Sequence, residues 1–164
     1  KKGLDKLLQA WIASKNPNWK LDIVGFGQQK YYKNKYDTFK HKNIKFLKPI
    51  TGIKSKINLL DRYDLLVLPS ASENFGIVIL EALGRGLPVL TTNMTPWNII
   101  QDKKAGWIIN DSLIELKLVL NQIFSMTASN FLKKKKQTLK IAKQYQAKNI
   151  SKLYLKNFKY VLNL

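Results

Sequence analysis

The sequence of 164 residues predicts an α/β protein, a doubly wound parallel sheet with helices on both faces and a helical carboxy-terminus. Three observations carry that expectation. Short apolar runs alternate with segments of helical period along residues 1–110. The stretch from Asp64 to Trp97 reads as strand, turn, helix and strand, which is a parallel crossover. Beyond Asp111 the pattern is helical throughout, with no repeat or linker to divide the chain. We therefore expect a single domain over 1–164, with sheet and crossover helices in 1–110 and a helical tail in 111–164.

The elements follow in order. Leu4, Leu7, Leu8, Trp11 and Ile12 recur at i, i+3, i+4, i+7 and i+8, so an amphipathic helix opens the chain. Leu21 to Val24 is a strand ending in Gly25-Phe26-Gly27, and a segment rich in lysine and tyrosine runs on as helix to about Lys40. A short strand at Ile44 to Leu47 and a short helix at Ile53 to Leu60 lead to the crossover. Its parts are a strand from Leu65 to Leu68, a polar turn from Pro69 to Asn74, a helix from about Phe75 to Arg85 and a strand from Pro88 to Thr92. Thr95 and Pro96 read as N-cap and first residue of another helix, and Trp107 to Ile109 as the last strand. A helix break is expected near Thr127 to Asn130.

In doubly wound sheets ligands bind outside the carboxyl ends of the strands, so Ser70 to Gly76 is where a site is expected. The chain contains three glutamates, Glu73, Glu81 and Glu115, and two of them fall in this turn and its helix. Ile77, Val78, Ile79, Leu80, Ala82 and Leu83 make the helix apolar all round, so Glu81 needs a partner or an opening into a cleft. Glu73 precedes the helix among backbone N–H groups that lack intrahelical acceptors and favour anions, and Gly76 leaves room for a ligand to approach the backbone. With Glu81 about five residues into the helix, a rise of about 1.5 Å per residue separates the two regions by roughly 7–8 Å, a spacing that suits a sugar or phosphate at one end and a nucleoside at the other. Two plainer readings stand beside this one. Glu73 as a surface acid complementing the macrodipole would contribute roughly 0.3–1 kcal/mol, and Glu81 would pair with Arg85 one turn on.

The run S-A-S-E-N-F-G-I-V-I-L-E-A-L-G-R-G-L-P-V, from Ser70 to Val89, resembles the E-x7-E motif of retaining glycosyltransferases of the GT-B fold, the group 1 or family-4 type. The likeness includes the Pro-Ser before the motif, the Phe-Gly inside it, the Glu-Ala after it and the G-x-P-V that opens the next strand. It extends to the initial K-G-L and to L-D-I-V-G-F-G. The resemblance implies the Rossmann-like, carboxy-terminal, donor-binding half of such an enzyme. It implies that Glu73 is the catalytic-site residue contacting donor-sugar hydroxyls, that Asn74, Phe75, Gly76 and Ile77 bring backbone amides to sugar and diphosphate, that Glu81 binds the ribose diol, and that Lys2 neutralises the diphosphate. In that family the first, central strand and a glycine-arginine pair precede the K-G. The expectation is a fragment whose sheet has a gap or an altered pairing in its middle. Lys48 departs from the glycine usual after the Ile44 to Leu47 strand, which leaves base readout near Pro49 and Ile50 open.

The same resemblance implies transfer of a sugar from a nucleoside diphosphate sugar with retention, in cell-surface polysaccharide or glycolipid synthesis. It also implies an amino-terminal acceptor domain as partner. The alternative is a non-catalytic nucleotide- or polyanion-binding module on the same fold. No cofactor and no metal are expected: the chain has no cysteine, one histidine (His41, expected to be exposed) and no D-x-D pair. Gly25-Phe26-Gly27 is not a dinucleotide fingerprint, because Lys30 stands where the third glycine belongs.

Formal charge is +19, almost all from lysine, since Arg62 and Arg85 are the only arginines. Abundant lysine, asparagine and isoleucine fit a genome of biased composition. The functional reading is attraction to an anionic partner. No specific nucleic-acid binding is expected, for lack of an aromatic stacking platform. From Leu116 to Leu164 there is no acidic residue. Ile150, Leu153, Tyr154, Phe158, Val161 and Leu162 fall on one helical face and Lys148, Lys152, Lys156 and Lys159 on the other. Such a helix either packs on the domain with a solvated lysine face or lies on anionic lipid. With no run of 18 uncharged apolar residues and no leader pattern, the expectation is a cytoplasmic domain, peripheral on the inner face of the membrane in the second reading.

Overall fold

The computed structural model describes residues 2–14 and 18–146. The amphipathic face at Ile150 to Leu162, with its lysines, lies outside the described residues. Among the described residues there are five strands: β1 Leu21–Val24, β2 Ile44–Leu47, β3 Leu66–Leu68, β4 Val89–Thr92 and β5 Gly106–Ile109. The helices are α1 Leu4–Ile12, α2 Gln29–Lys35, α3 Ile53–Leu60, α4 Ile77–Gly84, α5 Ile99–Asp102, α6 Leu113–Phe124 and α7 Ala128–Gln144, with a 3-10 turn at Thr38–Lys40. All strand pairs are parallel. β1 pairs with β2, Leu21 opposite Ile44, and β3, β4 and β5 form a second sheet in that order. β1 and β3 are not hydrogen-bonded to each other, so the interruption expected in the middle of the sheet falls between them.

β4 is the centre of the larger sheet, and all four of its residues are buried. Its alternating side chains reach two cores. Leu90 packs with Leu7, Leu8 and Trp11 of α1 and with Leu116, Leu120 and Ile123 of α6. Val89 packs on the other face with Ile79, Ala82 and Leu83 of α4, Ile100 of α5 and Ile141 of α7. Full burial of each such leucine or isoleucine contributes about 1.5–3 kcal/mol, which is what turns marginal short helices into two fixed layers. Helix starts are set by local chemistry. The Ser112 hydroxyl accepts from the Glu115 N–H while Glu115 Oε2 accepts from Asn110, a reciprocal capping arrangement that accounts for the third glutamate. Thr127 caps α7 by accepting from the Asn130 N–H, at the expected break.

Three local expectations need correction. α4 is not covered all round: Ile79, Ala82 and Leu83 are buried against α7, β4 and Leu60 of α3, but Ile77 is 66% exposed, because no described element packs on that side of the first turn. Thr95 caps no helix. Its hydroxyl donates back to the Thr92 carbonyl (3.0 Å), closing the turn that ends β4, and α5 begins at Ile99. His41 is half-buried rather than exposed.

Candidate functional site

β3 delivers the chain into the loop Pro69 to Gly76, which a set of hydroxyls fastens to the end of β4. Ser70 is fully buried; its carbonyl accepts from Thr92 Oγ1 (2.5 Å) and its own hydroxyl donates to Glu73 Oε1 (2.9 Å). Thr91 Oγ1 donates to the Leu68 carbonyl one step earlier (2.8 Å). The Glu73 N–H donates to the Met94 carbonyl (3.4 Å), and the Trp97 indole N–H to the Phe75 carbonyl. Gly76 then takes φ 71°, the left-handed conformation that glycine adopts without strain, and α4 starts at the next residue.

Glu73 is brought against Lys2, 71 residues away in sequence, by an ion pair and hydrogen bond; only 10% of its side chain is exposed. A second glycine makes this approach possible. Gly3, also left-handed at φ 71°, begins α1 so close to the loop that an added Cβ would sit 1.9 Å from the Pro69 carbonyl oxygen. Neither an L side chain nor a relaxed neighbour fits there, so the Lys2-Gly3 pair is docked on the β3–α4 loop by backbone contact.

Glu81 finds the partner that its position demands, but not the expected one. It pairs with Lys56 of α3, whereas Arg85 turns away from the helix end and grips Asp61 through two hydrogen bonds of 2.6 and 2.8 Å. Arg85 is the residue that follows α4, and its engagement by Asp61 leaves Glu81 to Lys56.

Lys2, Lys56 and Glu81 all line one open cavity of about 1740 Å³. Its walls are β1, with Gly25, Phe26 and Gly27, on one side and Leu65 to Leu68 on the other, so it occupies the interval between the two sheets. Pro49 and Ile50 also line it. Tyr63 spans this interval by donating to Asp22 Oδ2 of β1 (2.7 Å), and burial, then the Asp22 carboxylate, pushes the phenol up to about 12.

Of the residues singled out in the sequence, Lys2 and Glu73 are in contact, and Glu81 shares the cavity wall with Lys2. Asn74 is exposed at the loop tip, Phe75 is 40% exposed with its ring 5.1 Å from that of Trp97, and Ile77 stands exposed at the start of α4. Sequence reasoning placed Ser70 in the expected site loop but gave it no role, and it missed Lys56, Gly3 and Trp97 as parts of the site. Ser70 and Gly3 carried a signal in the Pro-Ser and Lys-Gly pairs; Lys56 and Trp97 carried none, because their partners lie 25 and 22 residues away. Among the described residues no three histidine, aspartate or glutamate side chains gather as metal ligands.

A doubly wound parallel fold with an acidic loop at the carboxyl end of β3 matches the carboxy-terminal-type domain of GT-B glycosyltransferases. The family model for glycosyl transferases group 1 matches residues 1–144, and the chain belongs to that family. It is 29% identical over 128 residues to an uncharacterized glycosyltransferase of Haemophilus influenzae, covering 70% of this chain and 33% of that protein. It resembles the crystal structure of WaaG, a glycosyltransferase involved in lipopolysaccharide biosynthesis, with a TM-score of 0.76 and 25% identity over 89% of this chain and 40% of that one. HepE of Anabaena, in complex with UDP-glucose, shares the fold with a TM-score of 0.74 and 22% identity over 99% of this chain and 46% of that one. The chain thus spans less than half the length of each of these proteins.

Proposed function

We propose that this domain holds the donor, a nucleoside diphosphate sugar, in a retaining sugar transfer whose acceptor is bound by another domain of the protein. The observation that carries the reading is the contact of Lys2 with Glu73 at the carboxyl end of β3, beside the start of α4. A carboxylate suited to sugar hydroxyls and a cation suited to a diphosphate meet there, next to a helix end that favours anions. The domain unit is 1–164, and the product belongs to a cell-surface polysaccharide or glycolipid.

In the free protein each carboxylate is neutralised, Glu73 by Lys2 and Glu81 by Lys56. Donor binding exchanges these contacts. The diphosphate takes Lys2 and the amides at the start of α4, Glu73 accepts hydrogen bonds from the sugar hydroxyls, and Glu81 accepts from the ribose diol. Glu81 lies four residues after the start of α4, about 6 Å along the helix axis, so sugar and ribose sit at opposite ends of one turn. Positive charge fixed before the bond breaks stabilises the leaving diphosphate, which is electrostatic preorganisation and requires no metal ion. Among the described residues no helix is long and apolar enough to cross a membrane. The basic carboxy-terminal segment is the proposed contact with anionic lipid on the inner membrane face.

A thermal-shift panel of uridine, guanosine and adenosine diphosphates and their glucose or mannose derivatives tests the reading on the full-length protein. A ligand at about 100 times its dissociation constant adds roughly 2.7 kcal/mol when it binds the folded form alone. One base is expected to raise the melting temperature, with the sugar adding to the effect. No response to any member of the panel would sink the donor reading.

A further inference from the structure

We propose that Trp97 is a positioning residue for transfer: its indole N–H fixes the Phe75 carbonyl and thereby the loop that presents Glu73. The proposal rests on the donor-site reading given above. Trp97 is fully buried, and its hydrogen bond reaches across from the loop after β4 to the loop after β3. The Glu73 N–H makes the matching contact to Met94 on the same β4–α5 loop. Asn74 is therefore flanked by two restraints from one neighbouring loop, one on the residue before it and one on the residue after it. Ala71, Ser72 and Asn74 are themselves exposed and have little packing to hold them.

The indole also supports the loop by contact. Its ring lies 5.1 Å from Phe75 and 5.1 Å from Tyr145 at the end of α7, and a Cβ at Gly76 would stand 3.7 Å from the indole nitrogen. Trp97 thus sits where the acidic loop, the β4–α5 loop and the last described helix meet. A phenylalanine there would keep most of the apolar contact and lose the donor, leaving the Phe75 carbonyl without this partner. Loss of that bond frees the loop on the Glu73 side of Gly76, while Glu81, inside α4, keeps its place.

The molecule supplies its own control in Trp11, a second buried indole whose N–H has no hydrogen-bond partner among the described residues. Trp97→Phe and Trp11→Phe in the full-length protein remove the same group, once with a partner and once without. Hydrogen exchange of the backbone in 71–77 is expected to quicken about five- to tenfold in Trp97→Phe and to stay at the parent rate in Trp11→Phe, with β3 and β4 unchanged in both. With UDP-glucose as the probe donor, Trp97→Phe is expected to lower kcat at least tenfold and to weaken UDP binding by a smaller factor, since the Phe75 carbonyl shares its peptide plane with the Gly76 amide. Parent-like exchange in 71–77, equal quickening across β3 and β4, or a parallel loss of UDP affinity would overturn the proposal by making Trp97 a packing residue. A parent protein that binds no nucleoside diphosphate sugar refutes the donor reading instead, and the exchange result still decides whether Trp97 holds the loop.

Discussion

Gly3 and Glu73 show how much of the site rests on single residues. An alanine at position 3 meets the Pro69 carbonyl at 1.9 Å and must hold a left-handed backbone, so both sterics and dihedral strain oppose it. Gly3→Ala is expected to cost about 1–3 kcal/mol, read from urea midpoints, because a non-glycine residue in that region carries strain of this order. It is also expected to weaken nucleoside diphosphate binding about tenfold by moving Lys2 off Glu73. Retained affinity in a destabilised Gly3→Ala protein would remove Lys2 from the site. The two acids should separate in a paired experiment. Glu81→Gln is expected to weaken binding of the free nucleoside diphosphate, since it loses an acceptor for the ribose diol, whereas Glu73→Gln mainly lowers transfer. Equal loss of nucleotide affinity in both variants would contradict the assigned roles. The positions of Glu73 and Glu81 were legible in the motif that carries the family resemblance, and the roles proposed for them follow from that resemblance. Lys56 was not legible, because a lysine in a lysine-rich chain carries no signal until α3 is placed beside α4.

At the scale of elements, the two sheets meet through side chains where hydrogen-bonded strands are absent. Tyr63, just ahead of β3, donates to Asp22 of β1 across the cavity. Burial, and then the Asp22 carboxylate, pushes the Tyr63 phenol up from the ordinary value near 10 to about 12. The folded state therefore holds this proton more tightly than the unfolded chain. The stabilisation it gives is complete below about pH 10 and is lost as pH rises from about 10 to 12. Urea melts of the parent and Tyr63→Phe across that window should show the stability difference between them shrinking, with the many lysines titrating alike in both. A difference independent of pH would mean that Tyr63 is solvated and the link across the interval is not formed. α4 teaches a related lesson. Its composition reads as covered on all sides, yet it has one buried face, because apolar composition states what a helix can bury and its neighbours decide what it does bury.

For the molecule as a whole, charge and topology matter most. A net charge of +19 gives a field felt by any anionic partner, and the donor, a polyanion and a lipid surface all qualify. If the carboxy-terminal lysines meet lipid, binding to vesicles containing acidic phospholipid should be strong at low salt and fall steeply toward physiological ionic strength, where screening acts over about 8 Å. Changing Lys148, Lys152, Lys156 and Lys159 to glutamine should abolish most of it and leave the melting temperature unchanged. A flat sedimentation profile with acidic vesicles, or equal binding of the mutant, would withdraw the membrane contact. Among the described residues, β1–β2 and β3–β4–β5 line one open cavity together with Lys2 and Glu81.

The sequence by itself determined the strand and helix order, the parallel crossover, the place of the acidic loop and the resemblance that family matching bears out, because apolar periodicity and turn residues act over a few positions. Tertiary structure alone decided the partners: Lys2 on Glu73, Lys56 on Glu81, Arg85 on Asp61, the Thr95 hydroxyl on the end of β4 and Trp97 on the Phe75 carbonyl. Apart from Thr95, these contacts join residues 22 to 71 positions apart, and which lysine or tryptophan arrives is set by how two cores pack against opposite faces of β4. A charge or an indole states in the sequence that a partner is needed, and the packing of layers chooses it.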